Sequence, residues 1–351
     1  MKRTLLILST LFLIPHLYAQ EQLSYQKPPK EILDLVEYER APSVSMNSDK
    51  TYMLLSYRNT YKTLEDLNQE ELRLAGLRIN PKHHISSTVT YTNNLKIRKT
   101  TDKVDKQVTG LPNDAKISNL VWSPNEDKIA FTHTGQNGLE LWVVDIAAAT
   151  AKKINTPALN ANMGNPIIWY RNNEQLLIRT IPNAFGPLKE TTKVIPNGPI
   201  VQSADGSVSQ NRTYQDLLKN KIDEYNFEQI ATTDLYNVHI NGAVKLYKSA
   251  DMYTSQSFSP DGQYLLITTL QKPFSYIVPL SRFASASNVY DLNGNLVKEV
   301  SVSELTEVIP KGFMAVRKGK RSLTWRADQA STLIYVEALD NGIDTNVNSG
   351  T

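Results

Sequence analysis

The feature that most constrains the fold is a strand, a turn and a second strand that recur along the chain. In the clearest copy, residues 118–122 are followed by the turn Ser-Pro-Asn-Glu-Asp and by a second apolar strand at 128–133. Residues 253–270 repeat this arrangement around a Ser-Pro-Asp-Gly turn. Proline, asparagine and aspartate favour such turns because proline restricts φ and the short polar side chains bond to the local backbone. Repeated units of this kind predict an array of similar substructures.

Three weaker copies of the same pair extend the repeat. Their turns lie at residues 47–50, 171–174 and 326–328. In two of these copies a tryptophan, Trp169 or Trp325, occupies the position of Trp122 in the clearest copy. The three tryptophans thus occupy the same position in the repeat.

The residues around the clearest copy predict a four-stranded unit. Candidate strands lie at 118–122, 128–133, 139–146 and 150–154. The third strand is apolar on both faces, which is typical of a buried central strand. Four antiparallel strands within about forty residues correspond to one blade of a β-propeller.

Counting blades gives an incomplete all-β propeller. Blades are predicted at 42–112, 117–157, 165–250 and 253–301, and a fifth begins near 321 and stops after its second strand. Asn241-Gly242 and Asn293-Gly294 mark hairpins between outer strands, because both residue types tolerate positive φ. An unfinished blade would expose strand edges, so we expect a chain of about four and a half blades that is truncated. The alternative is a genuine four-bladed protein with a frayed end.

Two insertions interrupt the blades, and both are predicted to be helical. Residues 64–77 place Leu64, Leu67, Leu72 and Leu74 in a helix-favouring context, and residues 213–227 carry apolar side chains at helical spacing. Insertions of this kind usually lie at the rim or on a face of a propeller, where substrates and partners bind.

The N-terminus predicts export. Lys2 and Arg3 precede an apolar stretch at 4–18, and Ala19 is a candidate last residue before cleavage. We therefore expect a signal peptide at 1–19, an N-terminal extension at 20–41, a propeller domain at 42–351, and a periplasmic or secreted location. An uncleaved N-terminal anchor is the alternative. No other stretch is long and apolar enough to span a membrane, so no membrane association is expected after cleavage.

Composition excludes several function classes. The chain has no cysteine, which excludes thiol catalysis and cysteine-bound metals. Its formal charge of +3 becomes nearly neutral once residues 1–19 are removed, so no nucleic-acid partner is expected. No glycine is followed two residues later by serine, so a nucleophile elbow is absent. The five histidines show no metal-ligand spacing. We expect no catalytic residue, no metal and no cofactor in this chain.

Several motifs then indicate a family. They are the segments at 194–199, 210–220, 272–279, 281–283, 319–328 and 335–340. Together they resemble the N-terminal propeller of glutamyl endopeptidases in the prolyl oligopeptidase family of serine peptidases. The resemblance implies a seven-bladed propeller that restricts peptide access to a C-terminal α/β-hydrolase domain. That domain would supply Ser, Asp and His for cleavage after Glu. It is absent from this chain, so whether the chain is an enzyme stays open.

The implied partners are a peptide substrate and the missing hydrolase domain. Recognition of a glutamate side chain needs a cation, and arginine suits a carboxylate. Arg212, Arg282 and Arg321 lie within the family-like motifs and are the candidate substrate-binding residues. The alternative for each is a structural arginine that holds a loop.

Two other functions remain open at this stage. One is a stand-alone, non-catalytic propeller that binds peptides or proteins. The other is a carbohydrate-active propeller, which would need paired carboxylates in a central channel.

Overall fold

The computed structural model describes residues 26–190, 214–308 and 315–340. The predicted signal peptide, the 194–199 motif and Arg212 lie outside these ranges. The chain divides into two compact units, Met1–Arg40 and Ala41–Thr351. In the first unit, helix α1 (Lys30–Val36) has no buried side chain, and Lys30 Nζ lies 2.5 Å from Asp34 Oδ2 one turn away.

The second unit is mostly β structure in several antiparallel sheets, as the sequence predicts. Sixteen of its strands form four consecutive four-stranded modules. The first module contains β1 (Ser43–Met46), β2 (Tyr52–Tyr57), β6 (Asn94–Lys99) and β7 (Lys106–Gln107). The second contains β8 (Ile117–Trp122), β9 (Lys128–Gly135), β10 (Gly138–Asp145) and β11 (Thr150–Leu159).

The third and fourth modules follow the same order. The third contains β12 (Ile167–Trp169), β13 (Gln175–Thr180), β14 (Thr233–His239) and β15 (Val244–Asp251). The fourth contains β16 (Tyr253–Phe258), β17 (Tyr264–Leu270), β18 (Ser285–Asp291) and β19 (Leu296–Ser303). A single residue pair, Leu159 with Thr180, joins the second and third modules into one continuous sheet. A separate hairpin, β20 (Arg321–Trp325) with β21 (Leu333–Val336), follows.

The turn between the first two strands is the same in all four modules. In each turn the N–H of the first residue donates to the carbonyl of the residue five positions later. The N–H of the fourth residue of the turn donates to the carbonyl of the first. That fourth residue has a positive φ in every copy: Lys50, Glu126, Asn173 and Gly262. The repeat predicted from the sequence is therefore confirmed at the level of backbone hydrogen bonds.

Neighbouring modules contact each other through equivalent aromatic residues. Trp122 Nε1 donates to Ser45 Oγ at 3.0 Å, and Trp169 Nε1 donates to the Val121 carbonyl at 3.1 Å. Trp325 Nε1 donates to the Ser257 carbonyl at 3.0 Å. In each case the last residue of a first strand reaches the first strand of the preceding module. The predicted equivalence of the three tryptophans is confirmed.

Both faces of the modules bury apolar side chains, which places a separate core between each consecutive pair. The core between the first two modules is built around Leu54, Ile97 and Phe131. The next core joins the second and third modules, and a smaller one joins the third to the fourth. Strand β9 shows why: Phe131 points to the first core, and its neighbour Ala130 to the second. This alternation is the strand period of two.

The insertions differ from the sequence prediction in their secondary structure. The prediction of a helix across 64–77 is wrong beyond its first turn. Helix α2 (Leu64–Leu67) ends there, and β3 (Leu72–Leu74), β4 (Leu77–Asn80) and β5 (Ile85–Ser86) form a small sheet. Gly76, at φ +86°, lies in the β3–β4 turn and breaks the helical pattern. In the later insertion, helix α3 (Lys221–Ala231) begins only after Asn220, whose side chain accepts the Ile222 and Asp223 N–H groups.

Candidate functional site

Three connections leave the modules at the same end. They link the second strand to the third strand in the first, third and fourth modules, at residues 58–93, 181–232 and 271–284. In each module the second strand starts at the shared turn between the first two strands. All three connections therefore emerge at the opposite end of the sheets. We call their described parts the insert layer.

The insert layer has its own apolar core. Phe227 of α3 is fully buried. Its ring lies edge-to-face with those of Phe274 and Phe283, with centroid distances of 5.0 and 5.8 Å. Leu74 and Ile79 of the first insertion pack in the same cluster. Residues distant in sequence are therefore held together at this end of the modules.

Polar contacts fix the insertions to one another. The Gly76 N–H donates to the Asp216 carbonyl at 2.8 Å, and Arg78 Nε lies 2.8 Å from Asp216 Oδ2. The Leu280 N–H donates to the Ala75 carbonyl at 2.9 Å. These bonds connect all three insertions, so the layer is a defined surface.

A large polar cleft lies between the first insertion of this layer and the first and second modules, at the end of the strands where the insertions emerge. Its volume is about 1130 Å³. The walls come from the first insertion, the ends of β6, β7 and β9, and the connection at 110–116. Amides line much of it, and they bond to each other: Asn93 Nδ2 donates to Asn59 Oδ1 at 2.7 Å, and Gln107 Nε2 donates to Asn94 Oδ1 at 2.6 Å.

The charged residues of the cleft include four cations and three carboxylates: Arg58, Lys62, Lys82 and Lys116, with Glu65, Asp66 and Asp114. Lys116 Nζ lies 3.4 Å from Asp66 Oδ1. Burial opposes ionisation of Asp66, but hydrogen bonds from Thr63 and the charge of Lys116 outweigh it and keep the Asp66 pKa below its ordinary value. Lys62 Nζ donates to the Ser87 carbonyl at 3.0 Å.

Arg58 differs from these engaged cations. It is half-buried at the end of β2, and its Nε is enclosed without a hydrogen-bond partner among the described residues. It also forms no ion pair with any residue in the described ranges. The cleft therefore contains a cation that no carboxylate of the described residues neutralises.

The histidines of the cleft do not provide a charged acid at neutral pH. Burial lowers the pKa of the His83 and His133 imidazoles. His133 Nδ1 accepts the Lys116 N–H at 3.2 Å. In the part of the chain that the structure describes, no group of three His, Cys, Asp or Glu side chains could hold a metal ion. The side chains of the cleft are therefore suited to binding a polar ligand.

The predicted arginines lie elsewhere. Arg282 ends a short 3₁₀ helix (Leu280–Arg282) in the insert layer, with its guanidinium 5.6 Å from the Tyr214 ring centre. Arg321 begins β20, half-buried, and its Nε has no hydrogen-bond partner among residues 26–190, 214–308 and 315–340. Neither residue lines the cleft. Sequence reasoning missed Arg58, although its position directly after a second strand and at the start of an insertion was a usable signal.

The described helices include none with the length and apolar character needed to cross a membrane.

The relationship of this chain to known proteins rests on two plant sequences. No family model matches the chain. It is 34% identical over 333 residues to a probable chloroplastic glutamyl endopeptidase of Oryza sativa subsp. japonica, and 34% identical over 331 residues to one of Arabidopsis thaliana. Each match covers 91% of this chain, and the chain spans about a third of the length of these curated relatives, 35% and 34%.

Solved structures with a similar chain trace include two peptidases. The acylaminoacyl peptidase of Pyrococcus horikoshii aligns with 77% of this chain and 33% of its own, at 14% identity and a TM-score of 0.41. Prolyl oligopeptidase B of Galerina marginata aligns with 83% of this chain and 30% of its own, at 9% identity and a TM-score of 0.39. The two plant relatives confirm the resemblance that the motifs indicate: over nearly its whole length, this chain is homologous to part of the glutamyl endopeptidases.

Proposed function

We propose that this chain is the propeller part of an exported serine peptidase that cleaves after Glu, and that it controls peptide access to a catalytic α/β-hydrolase domain outside these 351 residues. The observation that carries this proposal is the 34% identity to proteins named glutamyl endopeptidase across 91% of the chain. The peptide and the hydrolase domain are its proposed partners. The chain itself contributes binding surfaces and no catalytic residue.

The module architecture supports the propeller part of the proposal. Each of the four modules has four consecutive antiparallel strands, the same first turn, and cores on the faces that meet its neighbours. Propeller blades pack face to face in this way. In our proposal the four modules are successive blades, and the β20–β21 hairpin is the inner half of a fifth.

The hairpin also supports truncation. Ile334, Tyr335 and Val336 of β21 are 46%, 47% and 56% exposed. Three consecutive exposed apolar residues on an edge strand favour pairing with a further strand. We propose that further strands of the same blade, outside the described residues, cover them.

The coding DNA beyond codon 351 tests the proposal directly. We expect an in-frame continuation that encodes further four-stranded modules and then a domain with a serine elbow and downstream aspartate and histidine. We also expect the 351-residue chain by itself to leave a Glu-containing fluorogenic peptide uncut. A stop codon with no hydrolase frame behind it, or hydrolysis by the pure chain, would overturn the proposal.

Export is a separate part of the proposal, and it rests on residues 1–19. In a bacterial host we expect the chain to be recovered outside the cytoplasm with Gln20 as its first residue. N-terminal sequencing of each cell fraction measures this. A chain that keeps Met1 and stays in the cytoplasmic fraction would contradict it.

A further inference from the structure

We propose that Arg58 binds the carboxylate side chain of a peptide held in the polar cleft. This inference rests on the proposed function, since it takes the ligand to be a peptide. It assigns acidic recognition to a residue outside the family-like motifs, at the junction of β2 and the first insertion.

Arg58 is held by a rigid backbone. It follows β2 directly, and β2 pairs with β1 on one side and β6 on the other. The Asn93 N–H donates to the Tyr57 carbonyl at 2.8 Å, and Asn93 Nδ2 donates to Asn59 Oδ1 at 2.7 Å. The residues on either side of Arg58 are therefore both tied to the start of the third strand. A guanidinium on such a support is positioned before a ligand arrives.

The missing counter-charge of Arg58 points to an anionic ligand. Its Nε is enclosed, but its two terminal nitrogens have no partner among the described residues, and a carboxylate can accept from both at once. Two other cations of the cleft have internal acceptors: the half-buried Lys116 through Asp66, and the exposed Lys62 through the Ser87 carbonyl. Lys82 is exposed, so water solvates its ammonium group. Arg58 is thus the cation in this cleft that gains most from a ligand carboxylate.

The surrounding side chains fit a peptide backbone. Amide and hydroxyl groups line the walls, including the exposed Thr90, Asn113 and Gln136. They donate and accept hydrogen bonds without adding charge. A peptide could therefore bind along the cleft through its amides, while Arg58 distinguishes glutamate from glutamine.

The test compares two peptides and three variants of the 351-residue chain. The peptides are fluorescein-Ala-Ala-Glu-Ala-Ala-amide and its Gln counterpart, so the glutamate side chain is the only carboxylate of the peptide itself. Binding is measured by fluorescence anisotropy. The variants are Arg58→Met, Arg58→Lys and the control Arg171→Met. Arg171 is exposed in the first turn of the third module, at the opposite end of the strands. Thermal unfolding of each variant checks that it folds.

We expect the parent chain and Arg171→Met to bind the Glu peptide about 10- to 100-fold more tightly than the Gln peptide. This ratio of affinities is the size that a hydrogen bond to a charged group typically contributes in proteins. Arg58→Met should bind both peptides equally. Arg58→Lys should keep part of the preference, because lysine retains the charge without the paired donors.

Two failures can be told apart. If both peptides bind the parent equally, or if Arg58→Met keeps the preference for Glu, the assignment of Arg58 is overturned while peptide binding by the chain stands. If neither peptide binds the parent chain, the assignment of Arg58 and the proposed peptide-handling role both fail.

Discussion

Replacing Arg179 with methionine is expected to lower the free energy of unfolding by about 3 kcal/mol. Arg179 lies in β13 and is 2% exposed. Its guanidinium donates to three backbone carbonyls: Met163 at 3.1 Å, Tyr253 at 3.0 Å and Asn165 at 2.7 Å. It therefore joins the third module to the first strand of the fourth and to the loop before β12.

Two opposing effects set the size of this loss. Each hydrogen bond from a charged donor contributes about 1.5–3 kcal/mol, so three contribute about 4–9 kcal/mol. Burial of the charge opposes this and lowers the Arg179 pKa to about 10, a cost of about 3 kcal/mol that methionine would not incur. The contribution of the hydrogen bonds exceeds this cost, because methionine removes the donor from the buried Tyr253 carbonyl and from the partly buried Met163 and Asn165 carbonyls.

Urea unfolding followed by tryptophan fluorescence measures the effect. Arg179→Lys should fall between the parent and Arg179→Met, since an ammonium group keeps some of the bonds. The exposed Arg171→Met variant is the matched control and should stay within about 0.5 kcal/mol of the parent. A change of that small size in Arg179→Met would show that the three carbonyl contacts contribute nothing net.

Acidification is expected to destabilise the protein through His84. Burial, followed by the charge of the neighbouring His83, lowers the pKa of the His84 imidazole to about 4. The ring is 7% exposed, lies edge-on to Phe185 with centroids 5.1 Å apart, and has Asn162 Nδ2 3.4 Å from its Nδ1. It thus lies where the 58–93 and 181–232 connections meet.

The direction follows from proton linkage. In the unfolded chain the imidazole titrates near its ordinary pKa of about 6.5. Between that value and about 4 the unfolded state binds a proton that the folded state does not. Stability is therefore complete above pH 6.5 and falls by about 3 kcal/mol, as an order of magnitude, as the pH decreases to 4.

The variant His84→Asn isolates this contribution. His84 has φ +52°, a conformation that asparagine tolerates, so the substitution removes the titrating group with little backbone strain. Urea unfolding at several pH values should give a flatter profile for His84→Asn than for the parent. The control Gln263→Ala changes an exposed, non-titrating residue in the turn of the fourth module and should keep the parent's slope. Parallel profiles for His84→Asn and the parent would contradict the assignment to His84.

The strands and turns of the modules were predictable because their causes are local. A turn such as that at Ser259 depends on a few neighbouring residues: the Ser259 hydroxyl accepts the Tyr264 N–H, and Gly262 takes up the positive φ. The alternation of Phe131 with Ala130 likewise reports two buried faces from the strand period alone. The positions of Trp169 and Trp325 could be matched to Trp122 for the same reason.

The insertions and the cleft were not predictable in the same way. The leucines at 64–77 suit a helix, yet Leu74 and its neighbours form a hairpin because they pack against α3 and the 271–284 connection. The free donors of Arg58 depend on which carboxylates the folded chain brings near, and nothing in the local sequence specifies that. Amino-acid pattern alone thus determined the repeated strand–turn–strand units and the relationship to the glutamyl endopeptidases. Only the tertiary structure decided how the insertions pack and which cation of the cleft lacks a counter-charge, because both depend on contacts between residues far apart in the chain.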